Sequence, residues 1–297
     1  MKRNYRSIGF VGSIMLAVTL ALVLSGSLRH AATSCPRYTI EDLGELGSST
    51  GQPFSGPVVM PNHFPLPTAN GLPKRDAFTL QRTWSDADTV RVISANKSYG
   101  QAGWIHTQGM DAWHAFLLHN GQLEDLGTLG GNSSFACDLN AYGWVVGYSQ
   151  TPDRSRHAFL FQGSLMADLG TLGGVDSRAY GVNDQGQIVG DADTTQGASH
   201  AFLYEQGHLS DLGTLGGLDS VAYSLNNKGQ VVGFALTRRG DTHAFLWQQG
   251  TMYDLNRQIP ADSGWELQEA LKIDDAGRIW GEGMLHDKLH RFLLIPR

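Results

Sequence analysis

Cysteine is nearly missing from this chain. Cys35 and Cys137 are the only two in 297 residues, so no disulfide lattice holds it together. Charge is also sparse. Charged side chains are 17% of the sequence, below the roughly 25% of an ordinary soluble domain, and 22 basic residues face 28 acidic ones. That balance excludes a coiled coil and a nucleic-acid binder driven by bulk positive charge. Proline is rare outside one stretch, with six of its ten copies between Pro53 and Pro73. Glycine is abundant at 37 residues, about 12% against a usual ~7%. It keeps no three-residue period, which excludes collagen.

The one long apolar run is Ile8–Leu24, preceded by Lys2, Arg3 and Arg6. A basic start followed by an apolar core is the pattern of an export signal. The run also reaches the lower limit for spanning a bilayer. Residues 1–34 are therefore expected to be a signal peptide or a retained N-terminal membrane anchor. Without them 18 basic residues face 28 acidic ones, a net charge of −10, which makes phosphates and anionic lipid surfaces poor partners. The expected location is extracellular or in the cell envelope, with membrane contact only through the N-terminal segment. Cys35 then pairs with Cys137, stays free, or carries a lipid.

The strongest signal is internal repetition. His-Ala-Phe-Leu begins at His114, His157, His200 and His243, 43 residues apart each time, and His290-Arg-Phe-Leu follows 47 later. Asp-Leu-Gly begins at Asp42, Asp125, Asp168 and Asp211, and Asp254-Leu-Asn is a variant copy. Between them recur hairpins such as Asn183-Asp-Gln-Gly186 followed by Gln187-Ile-Val-Gly190. In such a turn Asn accepts local backbone bonds and Gly supplies a positive φ. One unit reads as four short antiparallel strands: Ala179–Val182, Gln187–Gly190, His200–Tyr204 and His208–Leu212.

Four strands in about 43 residues is the size of a β-propeller blade. Tyr38–Arg297 holds 260 residues, about six such units, so the expected fold is all-β: a six-bladed β-propeller over 38–297, with five blades as the alternative. The chain starts with a fourth strand (Tyr38–Gly44) and ends with a third (His290–Leu294). Joined, these close the ring and remove exposed edges. The Pro-rich residues 48–75 are a degenerate unit or an insertion, because proline cannot donate to a ladder.

His-Ala-Phe-Leu, Asp-Leu-Gly-Thr-Leu-Gly-Gly (at Asp125, Asp168 and Asp211) and Asn-x-x-Gly-Gln-Val-Val-Gly resemble the HAF-repeat family of extracellular bacterial proteins. The match is specific over Gly100–Gly281. The resemblance implies export and a propeller-like fold, and no assigned activity.

The recurring histidines, His114, His157, His200, His243 and His290, invite a metal ring. Third strands lie two strand spacings of ~4.8 Å outside the innermost one, so the rings are too far apart to share zinc at ~2.0–2.1 Å. Each is instead expected to serve its own blade, against the carboxylate of Asp42, Asp125, Asp168, Asp211 or Asp254. The Asn turns lack the ligand pattern of a calcium loop. Asp191-x-Asp193 and Asp86-x-Asp88 are carboxylate pairs that an acidic chain produces by chance. No Gly-x-Ser-x-Gly, His-Glu-x-x-His, P-loop or dinucleotide fingerprint occurs, and no cofactor or metal is implied.

The loops joining second and third strands differ where the framework repeats, and function concentrates in such loops. They are read as 105–113, 149–156, 191–199, 234–242 and 282–289. Trp104, Trp113, Arg154, Arg156, Arg238 and Arg239 suit stacking on, or hydrogen bonding to, a sugar or peptide. Trp144, Trp247 and Trp280 sit in strands and read as blade core. The expectation is an exported, non-enzymatic propeller presenting variable loops to an extracytoplasmic glycan or protein. A glycan hydrolase or lyase, with carboxylates ~5–9.5 Å apart at the channel mouth, and a structural envelope module are the alternatives.

Overall fold

The computed structural model describes residues 36–46, 90–107 and 112–297. The leader, Cys35, the Pro-rich unit at 48–75 and the Asp86/Asp88 pair lie outside the described residues, as does the sixth blade expected around that unit. Within them the chain is all-β, and its strands form five four-stranded antiparallel sheets. Blade 1 is β2 (Val90–Asn96), β3 (Gly100–Thr107), β4 (Ala112–His119) and β5 (Gln122–Asp125). Blade 2 is β6 (Ser134–Leu139), β7 (Val145–Gln150), β8 (Arg156–Phe161) and β9 (Met166–Asp168). Blade 3 is β10 (Gly173–Val182), β11 (Ile188–Thr194), β12 (Ser199–Glu205) and β13 (His208–Asp211). Blade 4 is β14 (Gly216–Leu225), β15 (Val231–Thr237), β16 (Thr242–Gln248) and β17 (Thr251–Asp254).

Blade 5 is assembled from both ends of the described chain: β18 (Trp265–Ile273), β19 (Ile279–Leu285) and β20 (Lys288–Pro296), completed by β1 (Tyr38–Glu45). Strand β1 runs antiparallel to β20 from Tyr38 opposite Pro296 to Glu45 opposite His290. The Tyr38 amide also donates to Gln258 O at 3.0 Å, and the Arg297 amide to Arg37 O at 2.9 Å. The N-terminal fourth strand thus covers the edge that β20 would otherwise expose.

The first strands of successive blades (β2, β6, β10, β14, β18) pack side by side, which makes them the innermost strands of a β-propeller. The apolar core lies between blades. Ala102, Leu117 and Leu126 of blade 1 meet Leu139, Val145 and Phe159 of blade 2, and analogous clusters follow at each later junction. The Phe of every His-Ala-Phe copy (Phe116, Phe159, Phe202, Phe245) and Phe292 is fully buried, each contributing about 1.5–3 kcal/mol. The strand therefore reads apolar on both faces because a neighbouring blade covers each.

Two sets of side chains tie blade to blade. At one end the Asn turns form a belt. Asn140 Nδ2 donates to Asn183 O (3.0 Å), Asn183 Nδ2 to Asn226 O (3.1 Å) and Asn226 Nδ2 to Asp274 O (2.9 Å). Gly186 closes its turn at φ +81°, and a Cβ there would strike the Trp144 ring at 2.5 Å, so glycine is required twice over. Further along the axis Ser134, Ser177 and Ser220, fully buried, accept from Ala115 N, Ala158 N and Ala201 N of the preceding blade at 2.8–2.9 Å. In blade 5 Leu267 holds this place, and Asn256 of the variant Asp-Leu-Asn compensates. Its Oδ1 accepts from Leu267 N at 2.7 Å and its Nδ2 donates to Leu267 O at 2.9 Å.

The innermost strands start earlier than the hairpin pattern predicts. Strand β10 begins at Gly173 and β14 at Gly216, each paired across a bulge with the far end of the second strand. A Cβ on Gly174 would lie 2.5–2.8 Å from Asp193 and Thr194, so the Gly-Gly step lets the two backbones approach. This segment lacks the apolar alternation by which a strand is read.

Candidate functional site

The recurring histidines stay within their blades. Nδ1 lies 2.8–2.9 Å from a carboxylate oxygen in His114–Asp125, His157–Asp168, His200–Asp211, His243–Asp254 and His290–Asp42. The same carboxylates accept the amide of the residue two positions on, as Asp168 does from Gly170 N at 2.8 Å. Each pair locks third strand to fourth. Among the described residues no three His, Cys, Asp or Glu side chains converge as a metal site.

The loops between second and third strands are shorter than the sequence suggests, because both strands extend into them. Blades 2 to 4 close with four-residue turns in which Thr151, Thr194 and Thr237 donate their amides to Ser155 O, Ala198 O and Asp241 O (2.8–3.0 Å). Gly197 (φ +82°) and Gly240 (φ +89°) take the left-handed position, and in blade 2 Arg154 takes it at φ +74°.

Several predicted ligand residues are occupied elsewhere. Trp104 is 5% exposed, and its ring meets Phe135 edge-on at 5.6 Å, so it belongs to the interior and not to a loop. Trp113 is half-buried in β4 against His106 at 4.8 Å. Arg156 opens β8 and grips Asp176 through Nε (3.1 Å) and Nη2 (2.6 Å). Burial raises the Asp176 carboxyl, but the Arg156 contacts outweigh it and the net shift is downward. Arg154 is exposed on its turn.

Arg238 and Arg239 do converge with other groups. With Arg257, Asp241, His243 and Asp254 they line a cleft of about 590 Å³ on blade 4. The wall carrying Arg257 is a 3₁₀ turn, Leu255–Arg257, capped by Asp254. It exists because this connector is longer: Ala222 follows Asp211 by eleven positions, whereas Ala270 follows Asp254 by sixteen. Arg257 Nε lies 3.7 Å from Asp254 Oδ2, with the Arg257 side chain 83% exposed. The sequence missed Arg257, although the 47-residue step and the variant Asp-Leu-Asn both marked the insertion.

A second group lies toward the axis, on the first and second strands of the blades. Arg178 of β10 faces Asp191 of β11, with Nη1 3.6 Å from Oδ2. Ser199 Oγ donates to the same oxygen at 3.0 Å. Tyr180 interacts with both members of the pair. Asp191 is 5% exposed and its Oδ1 has no hydrogen-bond partner. Burial pushes its carboxyl upward against the opposing pull of Arg178. Tyr180 and Tyr223, 43 positions apart, approach edge-on at 6.0 Å, and Tyr223 lies 5.8 Å from Phe234. Deeper toward the Asn belt, Asp138 accepts from Ser94 Oγ (2.8 Å) and Val182 N (3.1 Å). Burial raises its carboxyl, and Lys272 pulls the other way. Cys137 also sits here, its thiol pushed far up by burial. The Asp191-x-Asp193 pair is thus divided: Asp191 holds Arg178, while Asp193 Oδ2 accepts from Asp176 N at 3.1 Å.

The profile of a family described as protein of unknown function (DUF3466) matches residues 132–289, more than half of the chain. The chain belongs to the DUF3466 family. The match runs from just before the first strand of blade 2 into β20 of blade 5, and so spans both the cleft and the Arg178–Asp191 pair. No curated protein matches the sequence. Solved structures that this DUF3466 protein is similar to include a putative TolB from Agrobacterium tumefaciens (10% identity, TM-score 0.48, covering 69% of this chain and 73% of that one). TolB from Acinetobacter baumannii matches at 13% identity and TM-score 0.46 over 72% of this chain and 56% of that one. The β-propeller domain of the Trilobed protease from Pyrococcus furiosus, of open velcro topology, matches at 8% identity and TM-score 0.48, over 70% and 69%.

Proposed function

We propose that this protein is an exported propeller of HAF-repeat type that binds an anionic extracytoplasmic ligand, an acidic glycan or an acidic protein segment, without covalent chemistry. The observation that carries the reading is the blade 4 cleft. It gathers Arg238, Arg239 and Arg257 against the two carboxylates Asp241 and Asp254, a local excess of positive charge in a chain whose net charge is −6. Guanidinium forks suit bidentate recognition of carboxylates and sulfates. Both cleft carboxylates are engaged, Asp254 by His243 and Arg257, and Asp241 by the Thr237 hydroxyl at 3.3 Å. Neither is placed as the free acid or base that a hydrolase needs. The leader composition supports export.

The test is calorimetric titration of the full-length protein with polygalacturonate oligomers and a polyglutamate peptide at two salt concentrations. Binding that weakens with salt, and at least tenfold in R238A/R239A (about 1.4 kcal/mol), is the expected result. Salt-independent binding, or equal affinity in the double variant, refutes the reading.

A further inference from the structure

We propose that the axial wall formed by Arg178, Tyr180, Asp191, Tyr223 and Phe234 is a second binding site, for a neutral saccharide. It shares no residue with the cleft and calls for different chemistry, so it stands or falls independently of the anion-binding reading.

Three observations converge on it. The first is shape. The first and second strands carry aromatic pairs in four blades: Trp104 to Phe135 at 5.6 Å, Phe135 to Tyr148 at 5.1 Å, Tyr180 to Tyr223 at 6.0 Å and Tyr223 to Phe234 at 5.8 Å. Phe135, Tyr180, Tyr223 and Phe234 are only half-buried, so their rings form accessible surface. Toward the Asn belt, Asp138 with its Ser94 contact, and Lys272 acting on it, occupy the axis. The wall lies on the side of Asp138 away from the Asn belt, toward the ends of the second strands where the turns after Thr194 and Thr237 sit. Ligand sites are commonly apolar and aromatic with a few convergent polar groups.

The second is charge. Arg178 and Asp191 compensate each other at 3.6 Å, and the carboxylates that act on the wall from its edges, Glu269 on Tyr223 and Asp193 on Asp191, leave polar groups with no surplus cation to hold an anion. A pyranose suits this: its C–H faces stack on aromatic rings, and its hydroxyls can bond to a guanidinium and to phenol oxygens at the ring edges.

The third is an incomplete hydrogen-bond inventory. Asp191 Oδ2 is bound by Arg178 and Ser199, and the Tyr180 hydroxyl also hydrogen-bonds this carboxylate, while the buried Oδ1 is left unsatisfied. A buried acceptor without a donor costs stability; this oxygen has no accessible surface, so a ligand hydroxyl supplies the donor only as the side chains of the wall shift to admit it. The equivalent position in blade 2 is Tyr148 and in blade 4 Phe234, opposite Phe135 and Val221. Blade 1 has Arg91 opposite Trp104 and blade 5 Glu269 opposite Glu282, so among the described blades the Arg–Asp combination stands in blade 3 alone, whereas the buried Ser134, Ser177 and Ser220 beside these positions are the same in blades 2 to 4. The serine recurs in three successive copies because it joins blade to blade; the Arg–Asp pair makes no such repeated junction.

The experiment is calorimetric titration of the full-length protein with neutral hexasaccharides of glucose, N-acetylglucosamine, xylose and mannose, with tetramethylammonium and galacturonate oligomers alongside. At least one neutral hexasaccharide is expected to bind, with Kd raised tenfold or more in Y180A and in Y223A, largely restored in Y223W, and unchanged in R238A/R239A. Tyr223→Trp retains the ring, so its recovery separates lost stacking from misfolding. Absence of binding by all four neutral sugars overturns the proposal. So does binding that Y180A and Y223A leave intact, or a preference at this wall for the cation or the uronate.

Discussion

Removing one hydroxyl from the buried serine latch should loosen a whole junction between blades. Ser177 Oγ accepts from Ala158 N at 2.9 Å and donates to Gly170 O at 2.6 Å, so one fully buried atom joins β8, the following connector and β10. Ser177→Ala removes both partners at once. The Ala158 amide, itself at zero exposure, is left without an acceptor, and the Gly170 carbonyl loses its donor. Each orphaned group costs about 1–3 kcal/mol. The carbonyl lies near the surface and recovers part of its loss from water, which puts the total at about 2–4 kcal/mol. At roughly 2–4 °C per kcal/mol for a domain of this size, the melting temperature should fall by roughly 5–15 °C. The assay is urea and thermal unfolding of wild type, Ser177→Ala, Ser220→Ala and an exposed control, Ser164→Ala. Ser220 makes the same two bonds to Ala201 N and Gly213 O, so its cost should match that of Ser177. The two serines share no partner, so the double variant should be additive within about 0.5 kcal/mol. A loss below about 0.5 kcal/mol for Ser177→Ala, no larger than the control, would mean that the latch does not set the junction.

Two further outcomes follow from local geometry. Arg154 holds the left-handed position that Gly197 and Gly240 hold in the next two blades. A side chain there costs about 1–2 kcal/mol, against about 0.5–1 kcal/mol of extra unfolded-chain freedom for glycine. Arg154→Gly should therefore stabilise by about 0.5–1 kcal/mol in urea unfolding, and any destabilisation refutes the argument. For pH, burial raises the Asp42 carboxyl, but contacts to His290 and Gly44 N outweigh it and hold the pKa below 3.8. A depressed folded-state pKa stabilises above the unfolded value and ceases to do so as pH falls through the folded one. The stability gap between wild type and Asp42→Asn should thus be full above about pH 4 and close as the pH drops below it. A gap that stays constant down to pH 2, measured by thermal melts, would separate Asp42 from that acid dependence.

The repeat made the framework readable. Fixed spacings of His-Ala-Phe, Asp-Leu-Gly and Asn-x-x-Gly located hairpins, third and fourth strands and the β1–β20 pairing, because each motif has a local physical reason that copies repeat. Its reach ended where the reason was not local. The Gly173-Gly174 step belongs to β10 only through close approach to Asp193 and Thr194. Trp104 reads as a loop residue from its place beside a variable segment, yet its position opposite Arg91 on β2 turns it inward. The axial groups escaped for a related reason: Arg178, Tyr180 and Tyr223 lie in short runs whose period is visible, but which face meets the axis depends on how blades assemble.

In a chain built from copies, the copies separate what the fold demands from what it permits. Ala136, Ala179, Ala222 and Ala270 are all fully buried between blades, and any larger side chain there would displace a neighbour. One residue before each stand Phe135, Arg178, Val221 and Glu269, which share a backbone position and nothing else. Blade packing tolerates an aromatic, a cation, an aliphatic and an anion at that site, so packing does not select among them. The same contrast holds at the loop face: the turn after Thr151, Thr194 or Thr237 keeps its backbone bonds while its tip changes from Asp153-Arg154 to Gln196-Gly197 to Arg239-Gly240. The axial wall and the loop tips therefore both diverge between copies, and they are surfaces that a ligand arriving from the cleft side would meet. If this divergence were only drift, substituting the axial residues of blade 3 by those of blade 4, Arg178→Val together with Asp191→Phe, would leave every binding isotherm unchanged.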